Sequence, residues 1–372
     1  MTDVSITRAL GAKRVSRLRE TIATLKAMTA DIPDHADWVL HRPVPLRATD
    51  TLQADLEMTQ RLPNTGSWFY TVRYDSQGRR SGIATPYLRL PEPLSMDAIV
   101  GHIIFLDLHC RLGAWWLTHV WRAQQLTESS SSALHIWQII TAAACSRSLL
   151  EGAAAFSAET DAMTAEWDEL KQMGVPTSDS ISKFAAPLEK RISRGQFGTR
   201  LTESVDVKPP LQSTNVMTYV NKLAKQRPND RIKEIYEWLC DAVHPSFGGM
   251  TVFVANQGAH FSETHNLARI AKDPLADKSY ELAIEPTVAN ATADAIIVAA
   301  DEIARQVPKI RWLVDDIGLT TRVAFTSTLD GHVGRRSEPK RNDRCPCGSG
   351  RKYKACEFHQ WGYPGTPPTN QG

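Results

Sequence analysis

The chain has 372 residues, 42% of them hydrophobic and 23% charged, which excludes wholesale disorder and leaves room for two domains or one large domain with an appendage. A formal net charge of +2 gives no polybasic coat, and six cysteines are too few for a disulfide scaffold. The first residues hold no apolar run of the secretory kind, so a cytoplasmic setting is the expectation. Two long uncharged stretches, 129–146 and 242–262, are broken by serines, a proline and glycines, and no membrane span is predicted.

In chain order, residues 5–30 read as one helix, with Leu10, Val15, Leu18, Ile22, Leu25 and Met28 at near-helical spacing. Alternation over Trp68–Tyr74, a turn at Asp75-Ser76-Gln77-Gly78 and a return over Ile83–Leu88 predict a small hairpin. Ser95 is expected to cap a long helix running to about Gln125, which the serine run Ser129–Ser132 should end. Further helices are predicted over Ala133–Ala158, Thr160–Met173, Ser180–Ser193, 213–226 and 230–244, with His244-Pro245-Ser246-Phe247-Gly248-Gly249 as a sharp stop. Residues 250–285 read as mixed. A long helix follows Thr287, with Ala295, Ile296, Val298, Ala299, Ile303 and Val307 periodic, and 309–320 extend the bundle. Trp115, Trp116 and Trp121 are expected in the core. His102 and His109 share a helix, but no H-E-x-x-H supports a catalytic zinc site, and no phosphate loop or nucleophile elbow is present.

Two polar spots mark the helical region. Arg147 and Glu151 lie i,i+4 in an otherwise apolar run, a spacing that allows an ion pair on one face. In the 230–244 helix, Ile232, Ile235, Tyr236, Leu239 and Val243 form the expected buried stripe. His244 ends that helix, with Asp241 placed to orient it. Arg147, Glu151 and His244 are therefore the candidate catalytic residues, set against a bland reading of a satisfied ion pair and a helix-capping histidine.

Splitting the charge changes the picture. Residues 331–372 hold eight Lys/Arg against three Asp/Glu, a net +5, so residues 1–330 carry −3. The same tail holds Cys345, Cys347 and Cys356, whereas Cys110, Cys145 and Cys240 are scattered. Two thiolates at C-x-C, a Gly-Ser-Gly turn and a short basic helix returning Cys356 describe a small zinc site. A segment this short cannot bury enough apolar area to fold alone, so ligation must supply folding energy. Tetrahedral Zn2+ wants a fourth donor; His359 is the candidate, with Glu357 as an oxygen alternative.

Cys345, Cys347, the intervening GSGRKYKA and Cys356 resemble the SEC-C motif, the zinc module at the C-terminus of the bacterial preprotein translocase motor and of many unrelated bacterial proteins. Two departures stand out. Arg344 occupies a place usually held by proline, and Glu357 the place of the usual fourth ligand, so that ligand must come from elsewhere. The resemblance implies a structural zinc site with an adaptor role toward a protein, nucleic acid or anionic lipid. RSLLEGAA and YEWLCDAVHPS resemble an uncharacterised bacterial family of HEPN-like helical proteins, over roughly residues 95–260. Active HEPN ribonucleases carry R-x(4–6)-H, usually completed across a dimer. No arginine stands five to seven positions before His244, so a nuclease would have to recruit Arg147 from another helix.

The expected fold is mainly α, a HEPN-like helical bundle with a small N-terminal β-hairpin element and a C-terminal zinc module. The expected organisation is 1–94 (helix plus β element), 95–330 (bundle), 331–341 (basic linker), 342–362 (SEC-C-like zinc module) and 363–372 (disordered tail). The leading function is a zinc-binding, non-catalytic cytoplasmic adaptor that contacts a protein or nucleic acid through its basic tail, with a homodimer as a candidate assembly. The alternatives are a metal-independent HEPN-like ribonuclease of a bacterial defence or toxin system, and a nucleic-acid binder without cleavage.

Overall fold

Gly11 divides the N-terminal segment into α1 (Asp3–Leu10) and α2 (Ala12–Met28), where the apolar spacing alone predicts one helix. Its φ of 80° is left-handed backbone, which glycine adopts without the cost a Cβ would add. The computed structural model describes residues 3–32, 43–45, 67–74, 80–90, 96–173, 177–197, 214–262, 265–272, 281–282, 287–321, 341–342 and 352–355. These residues are mainly helical. Ser95 and the turn at 75–78 lie outside them.

The serine run does not end the long helix. Helix α3 spans Met96–His135. Ser130 is fully buried inside it and its hydroxyl donates to the Thr127 carbonyl at 3.2 Å, a back-bond that lets serine stay helical. The chain breaks at Trp137 instead, a non-glycine residue with φ 61°. The Gln138 amide donates to the Ala133 carbonyl at 2.8 Å and the Trp137 amide to the Leu134 carbonyl at 3.1 Å, the bond pair of a Schellman cap. Glycine normally fills that left-handed position; here the Trp137 side chain is 7% exposed, and its burial offsets the backbone cost.

Helix α4 (Ile139–Gln172) then joins the two helices expected over 133–173 into one. Ser157 and Thr160, which read as a boundary, are both buried inside it. By length and composition α4 could cross a membrane, with mean hydropathy 1.2 over its most apolar window, but half of that window is buried within the protein. Helices α5 (Ser178–Phe197), α6 (Val216–Gln226), α7 (Ile232–Val243) and α8 (Phe247–Thr251) follow. Helix α9 (Thr287–Thr321) runs through Pro308 and takes in residues 309–320.

Strands β1 (Pro43–Pro45), β2 (Ser67–Tyr74) and β3 (Arg80–Leu90) pair antiparallel in that order, with Val72 opposite Ile83. Strand β4 (Val254–Ser262) lies between β5 (His265–Ile270) and β6 (Glu281–Leu282).

The chain divides into two compact units, each drawn from three segments. The first comprises Met1–Asp31, Thr118–Thr160 and Thr214–Pro308. Its core is aliphatic, built on Leu25, Leu150, Leu223, Leu239, Ile296 and Ile303 with Phe156. The second comprises Ile32–Leu117, Asp161–Ser213 and Lys309–Gly372. Trp115, Trp116 and Trp167 are fully buried there among Leu170, Leu188 and Leu313. Burial of one indole is worth roughly 4–6 kcal/mol as an upper bound by area. Trp121, by contrast, is only half-buried.

Each unit also holds a buried ion pair. In the second, Asp316 accepts from the Trp167 indole at 2.7 Å and from Lys171 Nζ at 3.0 Å, and Lys171 sits 4.2 Å from the centre of the Trp312 ring. In the first, the fully buried Glu302 faces Arg227 at 3.3 Å, Arg305 and Gln306, whose amide also reaches Ser157 at 2.9 Å. Burial alone would raise the Glu302 carboxyl, but bonds from Arg305, Ser157 and Gln306 outweigh it and hold it at about 2.

Candidate functional site

Helices α4 and α7 meet in the first unit through Arg147, Glu151 and Tyr236. The i,i+4 spacing sets Arg147 Nε 3.1 Å from Glu151 Oε1. The Tyr236 hydroxyl donates to the same oxygen at 2.8 Å, and Arg147 Nη2 approaches that hydroxyl at 3.5 Å. The guanidinium also lies 5.5 Å from the centre of the Tyr236 ring. The three groups thus form a closed triangle, with the arginine and glutamate side chains 28% and 22% exposed.

Burial raises the Tyr236 hydroxyl, and its bond to Glu151 raises it further, to about 12 against an opposing bond from Arg147. Arg147 is itself held more firmly charged than usual: burial opposes the charge, but Tyr236, Cys240 and Glu151 outweigh it. A cationic guanidinium and a neutral phenol, both committed to one carboxylate, are neither a free base nor a free acid at neutral pH. The triangle cross-links two helices.

His244 is not part of it. It is the C-cap of α7, with φ −82°, and it is exposed. It follows Tyr236 by eight positions, about 12 Å along the helix axis at 1.5 Å per residue. Asp241 does not orient it either. One Asp241 carboxylate oxygen accepts from the Ser246 hydroxyl, and the other accepts from the Gly248 amide at 2.5 Å. A Cβ on Gly248 would fall 2.5 Å from that second oxygen, so only glycine admits the approach. Asp241 therefore clamps the corner between α7 and α8. The clamp leaves His244, Phe247 (68% exposed) and Met250 (62% exposed) on the surface.

The sequence pattern counted Tyr236 only as an apolar stripe residue and missed its polar role. The stripe itself ends on Ala242, which is buried, rather than on the half-buried Val243. Side-chain surroundings of His102 and His109 lie outside the described residues. Among the described residues no group of three His, Cys, Asp or Glu is placed to hold a metal ion.

At the other end of the chain, the Lys354 amide donates to the Arg341 carbonyl at 3.1 Å, and Tyr353–Ala355 form a 3-10 turn. That bond joins backbone groups 13 positions apart, which in sequence lie on either side of Cys345 and Cys347 and shortly before Cys356. Cys345, Cys347, Cys356, Glu357 and His359 themselves lie outside the described residues.

Residues 341–356 match the SEC-C motif family. The chain carries a SEC-C motif. The match begins at Arg341 and ends at Cys356, so the hydrogen bond from Lys354 to Arg341 joins residues near its two ends. A similar protein is Protein translocase subunit SecA of Legionella pneumophila (strain Lens), 40% identical over 65 residues. That stretch is 17% of this chain and 7% of the relative, so the chain spans less than a tenth of the relative's length. No solved structure matches.

Proposed function

We propose that this protein is a zinc-binding, non-catalytic cytoplasmic adaptor, in which a HEPN-like helical body recognises a partner and the SEC-C module at 342–362 supplies a basic contact surface. The observation that carries the reading is the SEC-C match at 341–356 on a tail of net charge +5. The donor set fits the metal: three thiols at Cys345, Cys347 and Cys356 with one imidazole at His359 are the borderline-soft ligands zinc prefers. Bound zinc would supply folding energy and, with four protein donors, no open coordination position.

The helical body supports the same reading. Arg147 and Glu151 are spent on each other and on Tyr236, which suits a structural cross-link better than catalysis. The ribonuclease reading is second, favoured by one observation, the exposed His244 on a rigid corner. Incubation of purified protein with total RNA separates the two. The adaptor reading expects no cleavage over a range of divalent ions. Cleavage by the wild type that His244→Ala abolishes would overturn it.

A further inference from the structure

Large apolar side chains scattered singly over a surface need no explanation, but a contiguous group does. Among the described residues six are exposed, and four of them, Phe247, Met250, Phe253 and Ile270, fall close together in the first unit. Phe247 and Met250 stand three apart on α8, hence on one side of it. Phe253 follows at the same interval, its amide donating to the Met250 carbonyl at 3.1 Å. Its own carbonyl accepts from the Ala271 amide at 2.8 Å, which brings the end of β5, and Ile270, beside it. Phe247, Met250, Phe253 and Ile270 are 68%, 62%, 38% and 69% exposed, and at about 200 Å² for a large side chain fully in water they leave roughly 450 Å² of apolar surface. The Asp241 clamp holds α8 against the end of α7, so this surface sits on a rigid corner and docking there costs little ordering.

We infer that this face joins two copies of the chain in a homodimer. Area and charge both select a second copy as the occupant. A stable interface of ordinary size covers about 800 Å² on each partner, of which about 65% is apolar between identical subunits, or about 500 Å². The exposed group supplies nearly that amount. Residues 242–262 contain no Lys, Arg, Asp or Glu, and the exposed Lys272 lies two positions beyond Ile270, at the margin. Copies that meet about a two-fold axis present the same surface to each other, so any charge on it would face its own kind; this surface has none at its centre. A strongly acidic or basic partner finds no counter-charge there. The pairing is also self-complementary, because a two-fold axis between the α8 helices sets the Phe247 ring of each copy against the flexible Met250 thioether of the other.

Sedimentation velocity of the full chain at pH 8, where histidine is uncharged, tests it over about 1–100 µM. A reversible monomer–dimer equilibrium is expected, with and without chelator, since the SEC-C segment takes no part in the contact. Phe247→Asp should raise the dissociation constant about thirtyfold or more, the size of an interface hot spot, and Met250→Gln about tenfold. Phe247→Leu should keep most of the association. These side chains are exposed, so the variants should retain the wild-type helical circular dichroism and report on association alone. Met173→Asp is the control, an apolar residue 59% exposed in the second unit, and should leave the equilibrium unchanged. A chain monomeric throughout that range would overturn the assignment. So would a dimer indifferent to Phe247→Asp, one weakened as much by Met173→Asp, or one lost on chelation. A monomer that floats with phosphatidylcholine vesicles, and ceases to in Phe247→Asp, would give the face to a lipid surface and overturn the homodimer.

Discussion

Glu151→Ala removes the one carboxylate shared by Arg147 and Tyr236. Two bonds to a charged acceptor disappear, from Arg147 Nε at 3.1 Å and from the Tyr236 hydroxyl at 2.8 Å. Such bonds contribute about 1.5–3 kcal/mol each, and side chains roughly a quarter exposed belong at the lower end. The expected loss is therefore about 2–4 kcal/mol. Tyr236→Phe removes only the hydroxyl and leaves Glu151 its arginine, for a loss of about 1 kcal/mol. Because both changes break the same bond, the double variant should be less destabilised than the sum, with a coupling of about 1 kcal/mol. Urea unfolding of the four proteins measures it. Glu128→Ala is the reference, since Glu128 and Lys26 form a loose pair with both side chains more than 60% exposed, worth less than about 0.5 kcal/mol. A Glu151→Ala loss no larger than that of Glu128→Ala, or strict additivity in the cycle, would refute the cross-link.

Other consequences are equally direct. The neutral Tyr236 hydroxyl is favoured in the fold, so its stabilising effect is complete below pH 10 and fades as pH rises towards 12. The tyrosinate absorbance difference between wild type and Tyr236→Phe should therefore appear late in an alkaline titration, and a transition near pH 10 would contradict it. Glu302 has the opposite sign: its ionised form stabilises above its ordinary 4.5, and that contribution is lost as pH falls towards 2. Acid melts should show a loss of roughly 3 kcal/mol across that window which Glu302→Gln largely removes. Gly195→Ala would set a Cβ 2.3 Å from the Trp115 indole nitrogen. It should cost about 1–3 kcal/mol through overpacking, read as a lowered melting temperature.

Much of the helical architecture was legible because apolar periodicity reports burial. The α7 stripe and the run from Ala295 to Val307 in α9 both face the core. Helix boundaries were less legible, because serine and threonine are ambiguous until their hydroxyls find partners. Ser130 bonds back to its own helix, while Trp137 takes a left-handed cap that no residue-type rule assigns to tryptophan. At the candidate sites, local spacing gave the Arg147–Glu151 pair. It could not give Tyr236, which lies 85 residues from Glu151 and joins it only through helix packing. Asp241 was misread for a related reason: His244 stands three positions on, one helical turn away, but the geometric partners are Ser246 and Gly248. The SEC-C motif was plain because its cysteine spacing lies within one short segment and needs no tertiary information.

We propose that the SEC-C segment holds zinc through Cys345, Cys347, Cys356 and His359. Elemental analysis of the full chain, purified without chelator, tests it most directly. One zinc per chain is expected, falling sharply in Cys356→Ser and in His359→Ala but unchanged in Cys240→Ser. Wild-type protein free of zinc, or zinc retained after Cys356→Ser, would contradict the account.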